Sequence, residues 1–230
     1  MVGIQRGTET RGDDCRVRIR PPKEANAAQG NKQLLEGYGG VKFQPIQRSD
    51  KLRPEVADLY VVFKRTCDRL KAQEMTPANA GNLSIRLGDG FFISASGSNL
   101  GCIEENELIL VEGCDVEAQR VLYHGPVEPS SESIMHWLIY RNQLEARAII
   151  HAHDEFATRP ELLAGVVEES EREEPYGTVE LAHMAIATFR RAERIIVLRN
   201  HGYVAIGPDL DGTCDLVVDT HVKLLGKRGT

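Results

Sequence analysis

The stretch Ala148-Ile149-Ile150-His151-Ala152-His153-Asp154 decides how this chain must fold. An apolar run leads into two histidines at i and i+2. In a strand alternate side chains share a face, so both imidazoles would point the same way. On a helix two such residues lie about 200° apart, so the pair can serve one metal ion only if the segment is extended. The pattern returns in Arg194-Ile195-Ile196-Val197-Leu198-Arg199-Asn200-His201-Gly202, where a β-branched run again ends in a histidine. If the two strands lie side by side, His151, His153 and His201 converge, and three neutral imidazoles suit Zn²⁺ or another divalent metal. The alternative keeps His151 and His153 as hydrogen-bonded rings closing a buried strand; the second strand-end histidine favours the metal.

Upstream of that strand, Pro129-Ser130-Ser131-Glu132 precedes a helix with Ile134, Trp137, Leu138 and Tyr140 on its apolar face. Ser130 or Ser131 is a natural N-cap for it. Glu132 then falls in the first turn, where the helix dipole favours an acid, and beside three histidines it could ligate a metal or move a proton. Further upstream, Val56, Leu59, Val62, Phe63, Thr66 and Leu70 follow helical spacing to about Glu74. Leu83–Leu87 and Phe91–Ser94 read as a hairpin turned at Gly88-Asp89-Gly90, and Glu107–Val111 and Glu117–Val121 as further strands. Downstream come an acidic stretch from Glu168 to Glu174, a helix from Thr178 to Arg191, a hairpin around Asn200-His201-Gly202, and a last helix over Leu210–Leu225. Helices flanking a mostly antiparallel sheet, in an order too irregular for repeated βαβ units, define an α/β class.

Two loops, Gly81-Asn82 and Ser96-Gly97, offer small side chains and free N–H groups to an anion, and Ser130 and Ser131 add hydroxyls at a helix N-terminus. No nucleotide-binding glycine fingerprint occurs.

Composition narrows the classes. A net charge of −6 argues against nucleic acid as the main partner. No apolar run approaches the ~20 residues of a membrane span, and no signal-peptide core is present, so a cytoplasmic protein is expected. Five scattered cysteines without a Cys-x-x-Cys fit a reducing compartment. Residues 1–45 differ from the rest. They hold seven glycines, and eight Lys and Arg against five acids, a charge of +3 where the remainder carries −9. A poorly ordered or loosely docked extension is expected there, followed by a catalytic domain over 46–230 whose folded part starts near Ser49-Asp50.

Gly81-Asn82-Leu83-Ser84, Ser94-Ala95-Ser96-Gly97, Pro129-Ser130-Ser131-Glu132, His151-Ala152-His153 and Asn200-His201-Gly202 fall in an order that resembles the class II aldolase and adducin-head family. That family includes L-fuculose-1-phosphate aldolase and L-ribulose-5-phosphate 4-epimerase, and the resemblance covers about Val56 to Leu225. It implies a three-layer α/β/α sandwich and a homotetramer with active sites at subunit boundaries. It implies zinc on His151, His153 and His201, with Glu132 as a ligand that doubles as acid/base. It also implies that Asn82, Ser96, Gly97, Ser130 and Ser131 hold a substrate phosphate.

The chain departs from the family between His153 and Thr178, where it is shorter, and at its end, where the family's C-terminal tyrosine has no counterpart. Tyr176, Glu173 and Glu174 are the candidates for the second acid/base, with Tyr176 placed first. The resulting expectation is a zinc-dependent aldolase that cleaves a small phosphorylated ketose to dihydroxyacetone phosphate and an aldehyde. A 4-epimerase, a sugar-phosphate dehydratase and a non-catalytic scaffold like the adducin head are the alternatives.

Overall fold

The structure, a computed structural model, describes residues 41–227. The basic N-terminal extension therefore lies outside the described residues, apart from its last five positions. Among the described residues nine strands form one sheet: β1 (Gln44–Ser49), β2 (Asn82–Leu87), β3 (Gly90–Ser94), β4 (Leu108–Asp115), β5 (Arg120–His124), β6 (Ala148–Ala152), β7 (Glu168–Glu169), β8 (Ile195–Leu198) and β9 (Gly202–Gly207). Their order is β1-β5-β4-β3-β2-β6-β9-β8-β7. Only the two outermost pairings, β1 with β5 and β7 with β8, are parallel. The helices are α1 (Val56–Ala72), α2 (Ser133–Asn142), α3 (Pro160–Leu163), α4 (Val179–Phe189) and α5 (Leu210–Lys227).

Strand periodicity sorts the core into two layers. Ala148, Ile150 and Ala152 of β6 share one apolar cluster with Phe63 and Leu70 of α1 and Val217 and Leu224 of α5. Ile149 joins the opposite cluster with Ile134 and Ile139 of α2 and Leu181 and Ala185 of α4. Helices cover both faces of the sheet, which is the three-layer α/β/α sandwich expected from the sequence. Each fully buried aliphatic side chain here contributes about 1.5–3 kcal/mol relative to exposure. Alternation also fixes the site: His151 follows Ile149 at period two and therefore faces the layer that contains α2.

The chain enters the sheet earlier than the sequence suggested. Gln44–Ser49 is a strand, not the end of an extension, and Phe43 ahead of it is buried at 6% exposure. The strand expected over Glu117–Val121 lies at Arg120–His124 instead. Asp115 Oδ1 accepts from the Ala118 N–H at 3.0 Å and Gln119 adopts φ +50°, so residues 116–119 form the turn. Helix α2 also begins later than expected, with Glu132 rather than a serine at the N-cap. Ser130 caps in a looser sense: its Oγ accepts from the Glu132 N–H at 3.3 Å. Cys67, Cys114 and Cys214 carry free thiols. Among the described residues no helix is long and apolar enough to cross a membrane.

Candidate active site

The three histidines arrive from two places. His151 stands in β6, and His153 just beyond its end, held by a 2.9 Å bond from its N–H to the Met75 carbonyl. β6 pairs with β9 rather than with β8. His201 therefore does not end a strand beside His151; it comes from the tight β8–β9 turn, where Asn200 takes φ +56°. Gly202 makes the approach possible, since a Cβ there would sit 2.3 Å from the Ala152 carbonyl oxygen. One ring nitrogen from each histidine lies within 4.8 Å of the others.

His151 is fully buried, and its Nδ1 stands 2.8 Å from the Tyr203 carbonyl oxygen. A carbonyl can only accept, so Nδ1 carries the proton and the Nε2 lone pair faces the cluster. Burial, aided by the neighbouring histidines, lowers His153 to about 3. Burial likewise lowers His201 to about 4, against the pull of Glu132 and with the help of His151 and the Lys42 ammonium. Both rings are neutral at physiological pH, the form that binds metal.

Glu132 closes the cluster from α2. Its carboxylate oxygens lie 3.3 Å from His151 Nε2 and 3.4 Å from His201 Nε2. Asn82 Nδ2, from the start of β2, donates to Glu132 Oε2 at 2.7 Å. Burial by itself would raise this carboxyl, but His151, His201 and the Asn82 amide outweigh it and hold it at about 2. Glu132 Oε1, by contrast, is buried without a hydrogen-bond partner. An orphaned carboxylate oxygen costs several kcal/mol unless something completes it. Three imidazole nitrogens, one with its tautomer fixed by a carbonyl, and an orphaned carboxylate oxygen fit a divalent cation of the zinc type.

The expected anion loops adjoin this centre. Gly81 adopts φ +84°, and a Cβ there would meet the His151 carbonyl at 2.6 Å, so the glycine lets β2 begin directly against β6. Asn82 pairs with His151 across the two strands. The Ser94–Ser98 and Pro129–Ser131 loops are bonded together: the Ser96 N–H donates to the Glu128 carbonyl at 2.9 Å, and that of Ser130 to the Ser94 carbonyl at 3.1 Å. Gly97 between them takes φ +72°. Asn82 Oδ1, Ser96 Oγ and Ser98 Oγ are buried without partners.

Tyr176 stands beside the second serine loop rather than in it. The next residue, Gly177 (φ +69°), is so close to Ser131 that a Cβ would lie 3.0 Å from its carbonyl oxygen. Glu173 accepts from Asn200 Nδ2 at 2.7 Å, next to His201, while Glu174 is engaged by Arg172. Two buried polar clusters were missed in the sequence. Asp154 Oδ2 takes bonds from Tyr203 Oη at 2.9 Å and His221 Nδ1 at 2.7 Å, and its Oδ1 takes the Phe156 N–H at 2.8 Å. Its position directly after His153 was the available signal. Behind Glu132 on α2, His136 Nδ1 meets Ser84 Oγ at 2.7 Å, and Ser84 Oγ lies 2.8 Å from Tyr140 Oη. No spacing in the sequence links these residues.

Residues 63–221 match the model of the class II aldolase and adducin N-terminal domain, and the chain belongs to that family. Among its relatives, an L-fuculose phosphate aldolase of Methanocaldococcus jannaschii is 27% identical over 175 residues, covering 70% of this chain and 87% of the relative. A methylthioribulose-1-phosphate dehydratase of Granulibacter bethesdensis is 35% identical over 91 residues, 39% of this chain and 40% of the relative. A solved L-fuculose 1-phosphate aldolase superposes with a TM-score of 0.64 at 26% identity, covering 75% of this chain and 87% of that one.

Proposed function

We propose that this protein is a divalent-metal-dependent aldolase that cleaves a small phosphorylated ketose to dihydroxyacetone phosphate and an aldehyde. The observation that carries this reading is the buried meeting of His151, His153 and His201 with the orphaned Glu132 carboxylate oxygen. His151, His153 and His201 would hold the cation, with Glu132 as a further ligand. A bound cation would supply Lewis-acid stabilisation of the negative charge that develops on the ketose oxygens.

The chain's own residues would do the rest. Asn82, Ser96, Gly97, Ser130 and Ser131 would bind the phosphate and so place the scissile carbon–carbon bond beside Glu132. In cleavage, a base takes the hydroxyl proton on the departing aldehyde side, and the bond's electron pair stays on the dihydroxyacetone half. Glu132 then delivers a proton to that carbon. In condensation the ionised Glu132 removes it. Asn82 holds the carboxylate in place through its bond to Oε2. Tyr176 is our choice for the proton exchange at the aldehyde oxygen. A cytoplasmic homotetramer belongs to the same proposal.

The relative named as a dehydratase supports a second reading, in which the same apparatus expels water from a phosphorylated sugar. The test is to incubate metal-loaded protein with dihydroxyacetone phosphate and a short aldehyde and to look for a ketose phosphate. Condensation supports the aldolase. Its absence, with water loss from methylthioribulose 1-phosphate, would replace the aldolase by the dehydratase; its absence with conversion of L-ribulose 5-phosphate to its 4-epimer would replace it by an epimerase.

A further inference from the structure

The groups proposed to hold the phosphate share one property: Asn82, Ser96, Gly97, Ser130 and Ser131 are all neutral. Hydrogen bonds from neutral donors orient a phosphate but leave most of its double charge uncompensated, whereas an ammonium donor also brings a full opposite charge. A cation stands at the edge of this pocket, on the segment that leads into β1. Phe43 is buried and the Gln44 N–H is bonded to the Gln119 carbonyl at 2.7 Å, so the backbone flanking Lys42 is anchored to the sheet. The exposed Lys42 side chain lies along the Tyr176-Gly177 segment, its Nζ 3.8 Å from the Tyr176 ring centroid. The point where a Gly177 Cβ would sit is 3.6 Å from Lys42 Cδ and 3.0 Å from the Ser131 carbonyl oxygen. Glycine at 177 thus lets the lysine stem come close to the serine loop.

Among the described residues Lys42 forms no ion pair. An aromatic face orients the ammonium without neutralising it, and its charge remains available to a ligand. The buried, unpartnered Ser96 and Ser98 hydroxyls independently mark the pocket as a place where donors await an acceptor.

We infer that Lys42, oriented over Tyr176, supplies the positive charge that makes this pocket select a doubly charged phosphate. The inference rests on the reading of the serine loops as the phosphate site. Tyr176 then has a role whether or not it transfers a proton: it positions the lysine.

The test titrates inorganic phosphate into the full-length protein and follows binding by calorimetry or phosphorus NMR. Lys42→Met should raise the phosphate dissociation constant about tenfold, the scale of one charge-assisted hydrogen bond. Its thermal midpoint should stay unchanged, because the side chain is exposed. Lys42→Arg should restore most of the affinity, and added salt should weaken binding more in the wild type than in Lys42→Met. Unaltered phosphate affinity in Lys42→Met, with weakened binding in Ser130→Ala, would overturn the role of Lys42 and leave the pocket standing. Absence of phosphate binding in the wild type would overturn the pocket and the lysine together.

Discussion

Asp154 and Glu132 are both buried carboxylates, and their surroundings differ. Asp154 is fully engaged: Tyr203 and His221 bond to Oδ2, and the Phe156 N–H to Oδ1. Glu132 meets two histidine rings at longer range, 3.3 and 3.4 Å, and keeps one oxygen orphaned. The Tyr203 backbone joins the two clusters, since its carbonyl fixes the His151 ring. A satisfied buried network stabilises the native state. An unsatisfied one lowers stability and persists where a ligand completes it. The comparison therefore divides the histidines and acids here into a structural set and a working set.

The largest expected effect is on the working set. As purified, the protein should carry about one divalent ion per chain by elemental analysis. A His151→Ala, His201→Ala double variant should carry none and be inactive. Stoichiometric metal in that variant would break the distinction outright.

Next comes Glu132→Gln. It should still fold and lose activity by about 10²-fold, the scale of a lost acid/base. Near wild-type turnover would remove Glu132 from the chemistry.

Asp154→Ala should show the opposite profile. Tyr203 Oη and His221 would be stranded, and the loss in urea denaturation should be about 2–3 kcal/mol. Unchanged stability would show that Asp154 does not hold the structural set together.

A smaller effect sharpens the comparison through pH. Burial lowers His136 from its ordinary 6.5 to about 3, and His153 and His201 are lowered as well. The unfolded chain takes up these protons first as pH falls. Stability of the metal-free protein should therefore be full above about pH 6.5 and decline steadily from there towards pH 3. His136→Gln should flatten that slope by about one proton, measured by urea midpoints across pH. An unaltered slope would mean that His136 is not buried in its neutral form.

Much of this could be read along the chain. The spacing of His151 and His153 required an extended segment, and β6 is one. The helical periodicity of Val56 to Leu70 returned as α1, and Leu210–Leu225 as most of α5. The two serine loops and Asn82 also lie together beside the histidines. The strand and helices were legible because side-chain period is a local property of the backbone. The strand at 120–124 was misplaced because Asp115 and Gln119 form a turn that no periodicity displays.

Local pattern determined the elements, their buried faces, and which residue types could gather around a metal or an anion. The hairpin around His201 was legible in the sequence, but tertiary structure alone decided that β9, and not β8, lies beside β6. It alone brought Gln44–Ser49 into the sheet and set Lys42 over Tyr176, more than a hundred residues away in sequence. It also left Glu132 Oε1 without a partner while completing both oxygens of Asp154. The physical reason is that hydrogen-bond satisfaction and charge proximity depend on distances between remote segments. Those distances are set by how the sheet is ordered and how its layers pack, which a local period of two or 3.6 does not encode.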